Sequence, residues 1–242
     1  MNGMIFAAGL GTRLAPLTNS RPKALVEVNG QPLLKYAIDN MYSAGVRHLV
    51  VNVHHFADMI IDYLQKNAHH WSELELLISD ERDMLLETGG GIVKALPLFD
   101  NNKPIIVANA DVLSNIDLKN MYSHHLEHNN DTTLLMSSRA STRGLLFDAD
   151  NRLMGWINKA KGEERIARDV TMCNSWAFNG FHIINQHVIK AMPQEGAFGI
   201  IDAYLNLAKD FNIKAYIPQE RYYWYDIGTI DKLHSAEIGL QN

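Results

Sequence analysis

A doubly wound α/β fold with a mostly parallel, Rossmann-like sheet is predicted by three features of the chain. Short apolar runs alternate with segments of helical periodicity through its first half. A glycine-bearing loop follows the first of these runs directly. The 242 residues, 47% of them hydrophobic and 20% charged, can bury a large core as one domain spanning 1–242.

The elements follow in order. Met4–Ala8 is an apolar run closed by Gly9, as a buried strand meeting a turn would be. Pro32 opens a helix in which Leu33, Leu34, Ala37, Ile38 and Met41 recur at helical spacing, and Gly45 ends it. His48–Val53 reads as a strand, Ala57–Gln65 as a helix with Ile60, Ile61 and Leu64 inward, and Leu74–Ser79 as a third strand. A helix over Gly91–Leu96 is stopped by Pro97, and Pro104–Ala108 is a fourth strand. This alternation implies right-handed βαβ units, with the strand-end loops gathered on the edge where ligands bind. After Asp131 the texture changes. Thr132–Ser137, Gly144–Phe147, Leu153–Ile157, Met172–Ile184, Ile213–Ile217 and Arg221–Tyr225 are strand candidates, with helices over Gly199–Lys209 and Thr229–Leu240. Residues 1–130 therefore read as a nucleotide-binding core, and 131–242 as an elaboration that returns to it.

Composition excludes several classes. The single cysteine, Cys173, forbids an intramolecular disulfide and points to a reducing, cytoplasmic setting; it is expected to be a small buried residue. The net charge of −5, without a basic block, argues against a nucleic-acid partner. No apolar stretch reaches the ~20 residues of a membrane helix, and Met1–Gly9 lacks the basic start of a secretion signal. His124, His125 and His128 lack the glutamate spacing of a zinc helix and are expected on a solvated helix face.

Four constellations can carry chemistry. The first is Gly9-Leu10-Gly11-Thr12-Arg13-Leu14, followed by Lys23: glycines let backbone N–H groups approach a phosphate, and the two cations answer its charge. It is not a dinucleotide fingerprint, because Leu14 stands where the third glycine belongs, and it lacks the Gly-Lys-Ser/Thr of a P-loop. The second is Asn109-Ala110-Asp111, a carboxylate at a strand's carboxyl end that either meets a ligand or caps the next turn. The third is Trp224-Tyr225-Asp226-Ile227-Gly228-Thr229, a strand–cap–helix junction with Thr229 as N-cap. The fourth, Glu87-Thr88-Gly89-Gly90-Gly91, feeds a helix N-terminus that attracts anions.

Gly9–Thr18 with Pro22-Lys23 closely resembles the opening motif of the sugar-1-phosphate nucleotidyltransferases, and the resemblance extends over nearly the whole chain. It implies a GT-A-like fold whose second half is a sugar-binding elaboration. It implies that the loop wraps a triphosphate through Ala8, Gly9, Gly11 and Thr12, with Arg13 on the departing pyrophosphate and Lys23 on the reacting phosphates. Asp111 and Asp226 would bind Mg²⁺. Thr88 and Gly89 would contact the nucleoside, and Glu81 would read the base edge. On the sugar side stand Asn109, Asn158-Lys159 (in place of the family's common Glu-Lys), Asn179-Gly180 and Trp224. The string Glu87-Thr88-Gly89-Gly90-Gly91-Ile92 is most similar to the branch that uridylylates N-acetylmuramate 1-phosphate.

The reaction implied joins a nucleoside triphosphate, UTP favoured and GTP next, to a sugar 1-phosphate with release of pyrophosphate, in a monomer or small homo-oligomer. Two alternatives stand: a guanylyltransferase for mannose or heptose 1-phosphate, and a non-catalytic subunit that binds nucleotide sugars and regulates a partner.

Overall fold

The computed structural model describes residues 1–99, 102–169 and 172–241. In chain order the elements of the first half are β1 (Asn2–Phe6), β2 (Glu27–Val28), β3 (Gln31–Pro32), α1 (Leu33–Ser43), β4 (His48–Val53), α2 (Ala57–Asn67), β5 (Glu75–Asp80), α3 (Glu87–Ala95), β6 (Ile105–Asn109), β7 (Val112–Ser114) and α4 (Leu118–Glu127). The second half adds β8 (Thr132–Ser137), β9 (Arg143–Phe147), β10 (Leu153–Asn158), β11 (Glu163–Ile166), β12 (Asn174–Ile184), α5 (Gln186–Lys190), α6 (Ile200–Leu207), β13 (Ile213–Tyr216), β14 (Trp224–Asp226) and α7 (Ile230–Gly239). Among the described residues no helix is long and apolar enough to cross a membrane.

β5, β4, β1 and β6 lie side by side and parallel, so the order of these strands reverses between β1 and β6. Loops leaving the carboxyl ends of β1 and β6 diverge at that reversal and open a crevice. β12 then pairs antiparallel with β6 inside the same sheet, and beyond it the sheet forks to β8–β13 and to β9–β10–β11. The sheet is thus mixed, parallel across β5, β4, β1 and β6 and antiparallel beyond them except for the parallel β8–β13 pair. Side chains alternate across each strand. Ile5, Val51 and Ile106 therefore face a core closed by α1, α2 and α4. Met4, Val50 and Val107 face a second core closed by α3, α5 and α6.

Several boundaries differ from the periodicity, each for a local reason. β1 stops at Phe6 because the next two N–H groups leave the ladder for the side chain of Asn52. α3 begins at Glu87, ahead of the expected Gly91. Its glycines are its packing face: a Cβ on Gly89 would lie 2.3 Å from the Phe198 ring, and one on Gly90 would lie 2.4 Å from the Gly196 carbonyl oxygen. Cys173 is exposed, contrary to expectation, at the foot of β12 where the strand's first residues remain solvated. The histidine cluster also divides. His128 is exposed, whereas His125 is buried, with Nδ1 2.8 Å from Thr133 Oγ1 and Nε2 3.2 Å from Asn185 Oδ1. Burial pulls the His125 pKa down, so it is a neutral core residue joining α4 to β8.

His182 on β12 is also buried, and neither ring nitrogen has a hydrogen-bond partner among the described residues. Desolvation lowers its pKa to about 3. A pKa depressed in the folded state leaves stability intact above the unfolded value of ~6.5 and removes it as pH falls toward the folded value. Urea unfolding at pH 7 and pH 5 is expected to show His182→Phe losing less stability than the parent chain over that interval, by on the order of 2 kcal/mol. Equal losses would mean that His182 does not contribute to the acid sensitivity.

Candidate active site

The crevice at the β1/β6 reversal is built from backbone outward. Ala7 and Ala8 N–H donate to Asn52 Oδ1 at 2.7 and 3.3 Å. Asn52 Nδ2 in turn donates to Glu81 Oε1 at 2.7 Å, and the Leu86 N–H donates to Glu81 Oε2 at 3.1 Å. A buried polar chain therefore joins the carboxyl ends of β1, β4 and β5 and fixes where the glycine loop departs. Glu81 is fully buried, and desolvation raises its pKa against the opposing hydrogen bonds from Asn52 and Leu86. The expected contact of Glu81 with a base edge is corrected accordingly: its carboxylate is enclosed and already bonded, and it acts by holding Asn52.

The loop itself is pinned by Leu14, fully buried in a third core with Val26, Val28, Leu113, Ile227 and Leu233. Gly11 has φ +66°, and a Cβ there would lie 2.8 Å from Lys23 Cβ. The turn thus closes directly onto the lysine stem, a fit and a conformation that favour glycine. Lys23 Nζ forms an ion pair with Asp111, whose side chains are 12% and 27% exposed respectively. β14 pairs with β7 in the register Asp226↔Val112, and Ile227 N–H donates to Asp111 O at 2.9 Å. That pairing sets Asp226 beside Asp111 although 115 residues separate them in the chain (226 minus 111). Asp226 Oδ2 accepts from Lys232 Nζ at 2.6 Å. A Cβ on Gly228 would meet Arg13 Nη2 at 3.3 Å and Asp226 Oδ1 at 3.4 Å, so this glycine leaves room for both groups.

Two adjoining hollows result. One, of about 380 Å³, is lined by Ala8, Gly9, Lys23, Thr88, Asn109 and Asp111, with Asn52, Leu85 and Glu87 among others. The second, of about 370 Å³, is lined by Gly9, Gly11, Thr12, Arg13, Lys23, Asp111 and Gly228 among others. Gly9, Lys23, Leu85 and Asp111 belong to both. Glu87 on the rim has φ +58°, a left-handed conformation that costs a non-glycine residue and that concentrates at functional sites.

Other expected site residues lie elsewhere. Gly89 does not face the hollow; its N–H donates to Phe198 O at 2.8 Å, and the Gly90 N–H donates to the same oxygen at 3.3 Å. These two N–H groups near the N-terminus of α3 are therefore taken by protein. Thr88 lines the hollow, although its Oγ1 also accepts from Ile200 N–H at 2.9 Å. Asn158 is buried at the end of β10 with no partner for its Oδ1 among the described residues, and Lys159 is exposed in the following turn. Neither lines the two hollows. Asn179 is buried as a hub. Its Oδ1 accepts from Ser137 Oγ and Arg139 Nε, and its Nδ2 donates to Tyr222 Oη at 2.8 Å. Gly180 at φ +80° lets the chain pass Asn109, whose Nδ2 would stand 3.0 Å from a Cβ there. Trp224 is half-buried and donates from Nε1 to Asn179 O at 2.8 Å.

Asn52 and Arg139 are residues that the pattern did not single out. Asn52 carried a signal, a polar residue near the end of the apolar run His48–Val53. Arg139 carried none, since its surroundings come from β12 and β14.

The residues present fit a divalent cation. The carboxylates of Asp111 and Asp226, brought to one strand pair, each partly exposed and each answered by a lysine, are hard oxygen donors of the kind Mg²⁺ takes when phosphates and water fill its other positions. Among the described residues no group of three or more His, Cys, Asp or Glu side chains is placed to hold a metal ion. The protein's share of such a site is therefore the aspartate pair.

A model of the nucleotidyl transferase family matches residues 2–242. Over 241 residues the chain is 33% identical to the N-acetylmuramate alpha-1-phosphate uridylyltransferase of Caulobacter vibrioides, covering 98% of this chain and 96% of that one. It is 24% identical over 234 residues to the mannose-1-phosphate guanyltransferase of Aspergillus oryzae, covering 94% of this chain and 61% of that protein. Its fold is similar to that of HddC from Yersinia pseudotuberculosis complexed with GMP-PN, with a TM-score of 0.75, 23% identity and 99% of each chain covered.

Asn52→Leu removes both the acceptor for Ala7 and Ala8 and the donor to Glu81. Thermal and urea unfolding are expected to show a loss of about 2–5 kcal/mol, the range for stranding buried polar groups. A loss below ~1 kcal/mol, the scale of one ordinary hydrogen bond, would show that the loop is held by other contacts.

Proposed function

The chain belongs to the nucleotidyl transferase family, and on that premise we propose that it transfers the uridylyl group of UTP to N-acetylmuramate 1-phosphate and releases pyrophosphate. The observation that carries this reading is the Lys23–Asp111 pair on the wall shared by two hollows, with Asp226 brought alongside by strand pairing. The sugar and base follow the relative from Caulobacter vibrioides, to which the chain is 33% identical over nearly its full length.

An oxygen of the sugar phosphate attacks the α-phosphorus in line. The new P–O bond forms as the bond from that phosphorus to the bridging oxygen breaks, and pyrophosphate leaves with the electron pair. The attacking oxygen is already anionic, so no general base is required; positioning and charge neutralisation do the catalytic work. Ala8, Gly9, Gly11 and Thr12 line the path of the triphosphate. Arg13, beside Gly228, holds the departing pyrophosphate, and Lys23 holds the reacting phosphates. Thr88 borders the nucleoside, while Asn109 and Trp224 border the sugar. Asp111 and Asp226 would hold Mg²⁺, which when bound supplies charge neutralisation at the phosphates.

The second reading is guanylyl transfer to mannose 1-phosphate or heptose 1-phosphate, of which mannose follows the Aspergillus oryzae relative. Pyrophosphate release over a grid of UTP, GTP, dTTP, CTP and ATP against the corresponding sugar 1-phosphates separates the two. UTP with N-acetylmuramate 1-phosphate is expected to give the highest kcat/KM. A maximum at GTP would replace the substrate assignment, and an empty grid with nucleotide still bound would favour a regulatory subunit.

Asp111→Asn and Lys23→Ala are each expected to lower kcat by about 10²-fold or more, the scale of losing one charged transition-state contact. Their circular dichroism is expected to be unchanged, since Lys23→Ala retains the Cβ on which Gly11 closes. Near-parental turnover in either variant would remove that residue from the mechanism. Chelation with EDTA is expected to abolish pyrophosphate release and added Mg²⁺ to restore it; activity that survives chelation would refute the metal assignment.

A further inference from the structure

We propose that Arg139 recognises a carboxylate on the acceptor sugar and so selects an acidic sugar 1-phosphate, an inference that rests on the uridylyltransferase reading above. Arg139 lies in the loop between β8 and β9. Its Nε donates to Asn179 Oδ1 at 2.9 Å and its Nη2 to the Phe178 carbonyl at 2.8 Å. The guanidinium carbon stands 4.2 Å from the centroid of the Trp224 ring. Trp224 is itself anchored through Nε1 to Asn179 O. The plane and direction of the guanidinium are thus set from two sides, by β12 and by β14.

What the group lacks is a directly bonded counter-charge. Among the described residues Arg139 forms no ion pair, and no protein atom accepts from its Nη1. Its bonded partners, Asn179 and Phe178 O, are neutral. Partial burial pulls its pKa down, with the nearby Asp226 carboxylate and Tyr222 opposing. A half-buried cation held in place without an ionic partner is costly unless a ligand supplies the charge. A guanidinium offers five N–H donors in a rigid fork that matches a planar carboxylate.

Its position selects the part of the ligand. Trp224 and Asp226 are alternate residues of β14, so their side chains leave one face of the strand about 7 Å apart. The reacting phosphates belong at Asp226, Asp111 and Lys23. A group about one sugar ring away lies beside Trp224 and Arg139. N-Acetylmuramate carries a lactyl carboxylate on the ring, whereas N-acetylglucosamine is the same ring without it.

The two sugar 1-phosphates form the test, titrated by calorimetry against the parent chain, Arg139→Gln and Arg139→Lys, with kcat/KM measured in parallel using UTP and Mg²⁺. The parent is expected to bind N-acetylmuramate 1-phosphate about 30-fold or more tightly than N-acetylglucosamine 1-phosphate, the scale of a desolvated charge pair. Arg139→Gln is expected to abolish that ratio, and Arg139→Lys to retain part of it by keeping charge without the fork. Equal binding of the two by the parent overturns the proposal. So does an Arg139→Gln variant that weakens both alike, which would give Arg139 a structural or phosphate-binding role. Selective, Arg139-dependent binding without turnover would sink the transferase reading alone; turnover confined to neutral sugars would keep that reading and sink this one.

Discussion

The carboxyl end of the central strand poses a problem that the rest of the site inherits. Where β1 ends, two backbone N–H groups point into protein and need acceptors. Asn52 supplies one oxygen for both, and its amide nitrogen is oriented by a carboxylate, Glu81, that is itself enclosed. An amide bonded at both its oxygen and its nitrogen can rotate only by stranding buried partners. The start of the glycine loop is therefore positioned by a bond chain running sideways across three strands, and everything that the loop carries, from Gly9 to Lys23, is placed relative to it.

Glycine serves this architecture through contact more than through flexibility. Gly11 lets the turn settle on the Lys23 stem, and Gly228 lets Arg13 and Asp226 share one corner. Gly89 and Gly90 let α3 meet the 196–198 segment at backbone distance. In the triple glycine ahead of Ile92, Phe198 O takes the Gly89 and Gly90 N–H groups, and Gly91 packs against Glu81 and Asn52.

The two sides of the crevice differ in how they treat charge. On the phosphate side Lys23 is matched by Asp111 and Lys232 by Asp226. Beside β12 and β14, Asn179 gathers Ser137, Arg139, Tyr222 and Trp224 into one network of neutral groups around a single cation.

By itself the sequence determined the strand and helix order of the parallel core, the glycine loop with Arg13 and Lys23, and the Thr229 cap, because each is written in contiguous residues whose spacing is also their geometry. Tertiary structure decided what contiguity cannot carry. Asp226 joins Asp111 only through the β7–β14 register, and Asn52 becomes the support of β1 only because β4 lies beside it. Glu81, Gly89 and Asn179 are residues of binding type that packing turned inward, since a polar side chain's role depends on which neighbour reaches it first. Arg139 was silent in the chain for the same reason: the groups that orient it lie 39 to 85 residues away, on strands that meet only in the folded sheet (178 minus 139; 224 minus 139).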